Sequence, residues 1–206
     1  MNLFSKTLTI VTIFFLNAAI VYAQTPKDFN ARGLNDLKQN NPTAAIAEFT
    51  KAVTADHNNA EGYDDRALAY VKLGNLTDAI SDTTQAIEIN PKDALAYYVR
   101  GAIYYDQGNG TQAIADFSQA IAINPKVTKG YMSRALTYLR MNEADEAVTD
   151  LTTVLKINPN YTRAYFNRAV AYYQLKQYDK AWADVHKAQD LGGAVNPEFI
   201  EALKKV

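Results

Sequence analysis

Arg32, Arg66, Arg100, Arg134 and Arg168 stand 34 residues apart, and Glu48, Asp82, Asp116, Asp150 and Asp184 keep the same interval. A planar guanidinium suits two-pronged contact with a carboxylate, so each arginine is expected to pair with the acid of its own block or of the block before. The competing chemistry is a basic stripe that grips an anionic ligand. Because the acids repeat in company with the arginines and cancel their charge, the expected outcome is a structural ladder of ion pairs. Other reactive groups are sparse. The two histidines, His57 and His186, lie far apart, cysteine is absent, and neither His-x-x-x-His nor Glu-x-x-His spacing occurs to assemble a metal site. The chain is read as no enzyme: no catalytic, cofactor-binding or metal-ligating residue is assigned, and no cofactor is expected. Gly108-Asn109-Gly110 reads as a turn, not a phosphate loop, and Asp64 and Asp65 read as part of a solvated face.

The interval of the charged columns is also that of the apolar ones. Blocks 26–59, 60–93, 94–127, 128–161 and 162–195 align Phe29, Tyr63, Tyr97, Tyr131 and Tyr165, and four residues on Gly33, Ala67, Gly101, Ala135 and Ala169. Tyr70, Tyr104, Tyr138 and Tyr172 follow three residues later. Large, small and large side chains at i, i+4 and i+7 share one face of an α-helix. Ala45, Ala79, Ala113, Ala147 and Ala181 mark a second helix in each block. Thr25-Pro26 and Asn41-Pro42 place a capping side chain before a proline at the first helical position. Asn90-Pro91, Asn124-Pro125 and Asn158-Pro159 end second helices, since proline drives the preceding residue out of the α region. A period of this length predicts an all-α solenoid, in which each hairpin is too small to bury its own apolar face and stacks on its neighbours. After Gly192-Gly193, Asn196-Pro197 opens a further helix over 196–206 whose Phe199, Ile200 and Leu203 would cap the open end.

The columns resemble the tetratricopeptide repeat family, most plainly in the third block, with Tyr97, Gly101, Tyr104, Ala113, Phe117, Ala120 and Pro125. The resemblance covers about residues 26–195. It implies a right-handed superhelix of five antiparallel helix pairs that binds peptides or protein segments along its inner face. The arginine column departs from the family pattern, which prefers leucine there. Asp36, His57 and Gly193 are departures at the ends of the array. Lys129, Arg163 and Asn167 match a fragment of the clamp by which some family members grip chaperone carboxyl termini. Leu34, Leu68 and Leu136 stand where that clamp needs amides, so this role is rejected.

The stripe one residue after the packing aromatic is the proposed inner face. It reads Asn30, Leu34 and Leu37; Asp64, Leu68 and Val71; Tyr98, Ala102 and Tyr105; Met132, Leu136 and Leu139; Phe166, Val170 and Tyr173. With Lys129 and Arg163 a turn earlier and Arg140 at the far end, Tyr98, Tyr105, Met132, Leu139, Phe166 and Tyr173 form the candidate groove. Such a surface suits an apolar or aromatic peptide carrying an acidic group. The same side chains also fit plain packing between units.

Residues 1–23 differ in composition from the rest. Lys6 precedes the apolar run Leu8–Leu16, and Val21-x-Ala23 resembles a signal-peptidase site with Gln24 as the new amino terminus. Export to a periplasm or the exterior is expected. The uncharged stretch 7–26 would alternatively anchor the chain in an inner membrane, since a spanning helix needs about 20 apolar residues. The 21 basic and 22 acidic residues are intermixed and the sequence pI is about 6.1, which gives no basic face for nucleic acid. Asn75, Asn109 and Asn160 begin glycan acceptor patterns that matter only in a glycosylating pathway. The functional expectation is an exported scaffold for a protein or peptide partner. A carbohydrate-binding module using Tyr98, Tyr105, Phe166 and Tyr173, and a self-associating structural protein, stand as alternatives.

Overall fold

The computed structural model describes residues 24–206, and the leader read at 1–23 lies outside the described residues. Every regular element among the described residues is an α-helix. Five hairpins follow one another: α1 (Pro26–Lys38) with α2 (Pro42–Ala55), α3 (Ala60–Leu73) with α4 (Leu76–Ile89), α5 (Ala94–Asp106) with α6 (Gly110–Ile123), α7 (Thr128–Arg140) with α8 (Ala144–Ile157), and α9 (Thr162–Gln174) with α10 (Tyr178–Asp190). A short α11 (Pro197–Leu203) closes the array. Among the described residues no helix is long and apolar enough to cross a membrane.

Local chemistry sets the ends of these helices. Thr25 forms a reciprocal capping box with Asp28, and Asn41, Asn59 and Asn75 accept from backbone amides at the starts of α2, α3 and α4. Asp93 caps α5 by accepting from the Leu95 and Ala96 amides. Between the two helices of each hairpin the chain passes through one residue at positive φ: Asn40, Gly74, Gly108, Asn142 and Lys176. Glycine or asparagine tolerates that conformation, whereas the Cβ of a lysine meets the backbone. Lys176→Gly is therefore expected to stabilise the chain by about 1 kcal/mol, visible as a higher denaturant midpoint with unchanged helicity. An unchanged or lower midpoint would show that the turn carries no strain.

Within a hairpin, the small column and the residue 16 positions on fill space jointly. A Cβ on Gly33 would lie 2.5 Å from the Phe49 ring, and one on Gly101 would lie 3.0 Å from the Phe117 ring. Where the small residue is Ala67, Ala135 or Ala169, the residue 16 positions later is the smaller Thr83, Leu151 or Val185. Phe49, Phe117 and Leu151 are fully buried, so the backbones approach closely and the larger partner fills what remains. Each odd-numbered helix also packs against its odd-numbered successor, from α1 on α3 to α7 on α9. Even-numbered helices approach their even-numbered successors less closely. The array therefore curves with α1, α3, α5, α7 and α9 on its inner side, and these are the helices that position any groove.

Candidate binding surface

The arginines come to rest on the acids of their own hairpins. Arg66 donates to both oxygens of Asp82 at 2.7 Å, and Arg100, Arg134 and Arg168 grip Asp116, Asp150 and Asp184 at 2.7 to 2.9 Å. The free Nη1 of each then reaches back to the preceding hairpin, to Thr50, Thr84, Ser118 and Thr152 at 2.8 to 3.1 Å. Sequence reasoning missed this hydroxyl column, although it repeats at the same interval. Each guanidinium also lies 5.5 to 5.7 Å from the centre of Tyr63, Tyr97 or Tyr165 and 5.9 Å from that of Tyr131. The hydrogen bonds that the arginines donate to Asp82, Asp116, Asp150 and Asp184 are the leading cause that raises the pKa of each paired arginine. Arg32 makes a looser rung, bonding Glu48 through Nε alone at 2.7 Å, while Lys51 meets the other Glu48 oxygen and is the first cause of its lowered pKa. At the far end His186 takes the hydroxyl position and stacks on Trp182. The ladder thus joins hairpins to one another, and from Arg66 to Arg168 every guanidinium nitrogen is engaged within it.

The candidate groove divides by block. Tyr98 lies tilted against Phe117 and, with Leu95, Ile121, Val127 and Lys129, lines an apolar pocket of about 300 Å³ between α5, α6 and α7. Leu95 and Val127 are 48% and 43% exposed. Lys129 and Arg163 stand exposed. Arg140 lies over the Tyr105 ring and donates to the Tyr105 carbonyl, which ties both down. Four assignments need correction. Met132 is buried and receives the Asn167 amide at its sulfur, so it is core between α7 and α9, and Leu139 packs beside that core. Phe166 and Tyr173 each meet the Phe199 ring edge-on at 5.6 Å, because α11 covers the last hairpin as a further repeat helix would. Phe199 thus occupies part of the surface these rings would offer a sugar, while Tyr173 also lines an open cavity with Pro197, Glu198 and Lys205.

The first two blocks differ. Asp64 is only 6% exposed, so the solvated-face reading of Asp64 and Asp65 is wrong. Burial comes first among the causes that push Asp64 up to about 8, followed by the charge of Asp93 and a hydrogen bond with it. Burial, then the charge of Glu61, pushes Asp65 up to about 6. Asn30 holds the same column position as Asp64 and is 5% exposed. It lines a cavity of about 570 Å³ with Leu34, Asp56, Asn59, Glu61 and Lys27. Asn30 Oδ1, Asp64 Oδ1 and Asp65 Oδ2 have no hydrogen-bond partner among the described residues. The signal for this site was the polar pair Asn30 and Asp64 in a column that continues as Tyr98, Met132 and Phe166.

Known proteins share this architecture. Tetratricopeptide repeat models match residues 65–127 and 162–191, and a TPR repeat model matches 135–176, together more than half of the chain. The crystal structure of MamA protein superposes with a TM-score of 0.76 at 26% identity, covering 82% of this chain and 92% of that one. MamA from Desulfovibrio magneticus RS-1 shares the fold at 15% identity, with a TM-score of 0.76 and coverage of 81% and 94%. YrrB, described as a TPR protein with an unusual peptide-binding site, shares it at 19% identity, with a TM-score of 0.72 and coverage of 82% and 87%. No curated protein matches the chain. From the repeating columns, the stacked hairpins and these matches together, the chain belongs to the tetratricopeptide repeat family.

Proposed function

We propose that this chain is an exported scaffold that holds an extended peptide or protein segment of a partner along its inner face. The observation that carries the reading is the apolar pocket beside Tyr98, whose Leu95 and Val127 are left about half exposed on the inner side of the curve while Lys129 stands at its rim. Large apolar side chains kept exposed in a concavity gain their burial from a ligand. YrrB, with the same fold, is described as having a peptide-binding site. Export rests on the composition of residues 1–23, and a mature chain beginning at Gln24 would be its direct signature.

Cross-linking in the native compartment followed by mass spectrometry tests the scaffold. Leu95→Glu with Val127→Glu should weaken capture of the partner by about tenfold or more, because a charged pocket wall opposes an apolar side chain. Both positions are exposed, so helicity and thermal stability should stay as in the parent. Undiminished capture would place the binding surface elsewhere on the array.

A further inference from the structure

The inner face changes chemistry along its length. The residue at the start of each odd-numbered helix, one after its first, reads Lys27, Glu61, Leu95, Lys129 and Arg163, and the floor column reads Asn30, Asp64, Tyr98, Met132 and Phe166. The pockets at the two ends of this change are equivalent subsites two blocks apart, since Asn30, Asp56 and Glu61 in one stand where Tyr98, Asn124 and Lys129 stand in the other. One is apolar with a basic rim. The other is polar, with acids at its edge.

All three buried side-chain atoms left without a hydrogen bond among the described residues are acceptor oxygens, on Asn30, Asp64 and Asp65. They sit on α1 and α3, adjacent helices of the inner face. The register between successive inner helices is visible elsewhere, where Ser133 meets Tyr98 and Asn167 meets Met132 across 35 residues. The same interval sets Asp65 opposite Asn30. A buried acceptor without a donor costs about 1 to 3 kcal/mol, so Asn30 Oδ1, buried where it lines this cavity, calls for a ligand group that donates N–H. Among the described residues, no three His, Cys, Asp or Glu side chains gather as ligands of a metal ion would. An ammonium or guanidinium supplies several donors together with the positive charge that Asp56 and Glu61 favour.

Resting on the peptide-scaffold reading, we infer that the cavity lined by Asn30, Asp56 and Glu61 is a recognition subsite for a lysine or arginine side chain of the bound segment. The apolar pocket beside Tyr98 then takes an apolar residue of the same segment. Neighbouring helices lie roughly 10 Å apart, and an extended chain advances about 3.3 Å per residue. Two such steps separate the two pockets, so the basic residue falls about six positions from the apolar one. Lys27 stands at the cavity edge and excludes a second cation, which confines the charge to one residue.

An array of peptides of about fourteen Gly and Ser residues, each carrying one leucine and one lysine at every spacing, tests this with the full chain. Matched peptides carry acetyl-lysine, which keeps the length and loses the charge. Lysine about six positions from leucine should be retained about tenfold more tightly than acetyl-lysine at the same place. Asp56→Asn with Glu61→Gln should erase that difference and leave retention of leucine-only peptides unchanged, with the helical spectrum intact. Equal retention of lysine and acetyl-lysine peptides would overturn the cation subsite and leave the scaffold reading standing. Retention of no peptide at all would overturn both.

Discussion

Arg100→Ala is expected to lower unfolding stability by about 3 kcal/mol, whereas Arg32→Ala should lower it by less than about 1 kcal/mol. The chemistry removed is the same, and the difference lies in burial. Side-chain exposure is 18% for Arg100 and 8% for Asp116, against 43% for Arg32 and 17% for Glu48. Truncating Arg100 leaves the Asp116 carboxylate in a dry site without its counter-charge and strips the Thr84 hydroxyl of its donor. Truncating Arg32 leaves Glu48 paired with Lys51 and open to water. Arg100→Leu together with Asp116→Leu should recover most of the loss, because removing both charges leaves neither buried alone. Leucine is also the residue the repeat pattern prefers at the arginine position. Chemical denaturation of the three variants decides the matter, and equal losses for Arg100→Ala and Arg32→Ala would show that the rungs contribute little. Because Arg100 ties Asp116 of its own hairpin to Thr84 of the one before, its loss should also broaden the transition as neighbouring hairpins uncouple.

The ladder and the helix pairs were legible in the sequence because both depend on local spacing. A period of 34 places large and small side chains on one helical face, and it holds each arginine a constant 16 residues from its acid. Whether the arginine would choose its own hairpin or the preceding one depended on the hairpin's turn, and the answer is both, through different nitrogens. The groove was less legible. Phe166 and Tyr173 stand on the inner stripe like Tyr98 and Tyr105, but the array ends after α10 and Phe199 covers them. No pattern within a block reports what lies beyond the last block. Asp64 misled for another reason: carboxylates on a helix are ordinarily solvated, and its burial arises from the approach of α5, with the Asp93 cap, to α3. The useful signal was the column, since a position that is Tyr98, Met132 and Phe166 in other blocks is an inner position whatever residue occupies it.

Asp64→Asn is expected to stabilise the chain by a few kcal/mol more at pH 8 than at pH 5. The folded chain holds the Asp64 proton up to about pH 8, whereas the unfolded chain releases it near the ordinary 3.8. Between those values the unfolded state binds fewer protons, so wild-type stability falls as pH rises, with a slope approaching about 1.4 kcal/mol per pH unit. Asp65, raised to about 6, adds to the fall in the lower half of the window. Asp28 and Glu48, whose pKa values are lowered, act with the opposite sign near and below pH 4.5, outside the interval compared. Asparagine stays neutral, and its amide can donate to Asp93 as the protonated acid does, so the variant should show a much flatter profile. Denaturation of both proteins at pH 5, 6.5 and 8 measures the difference, and parallel profiles would mean that Asp64 is hydrated in solution.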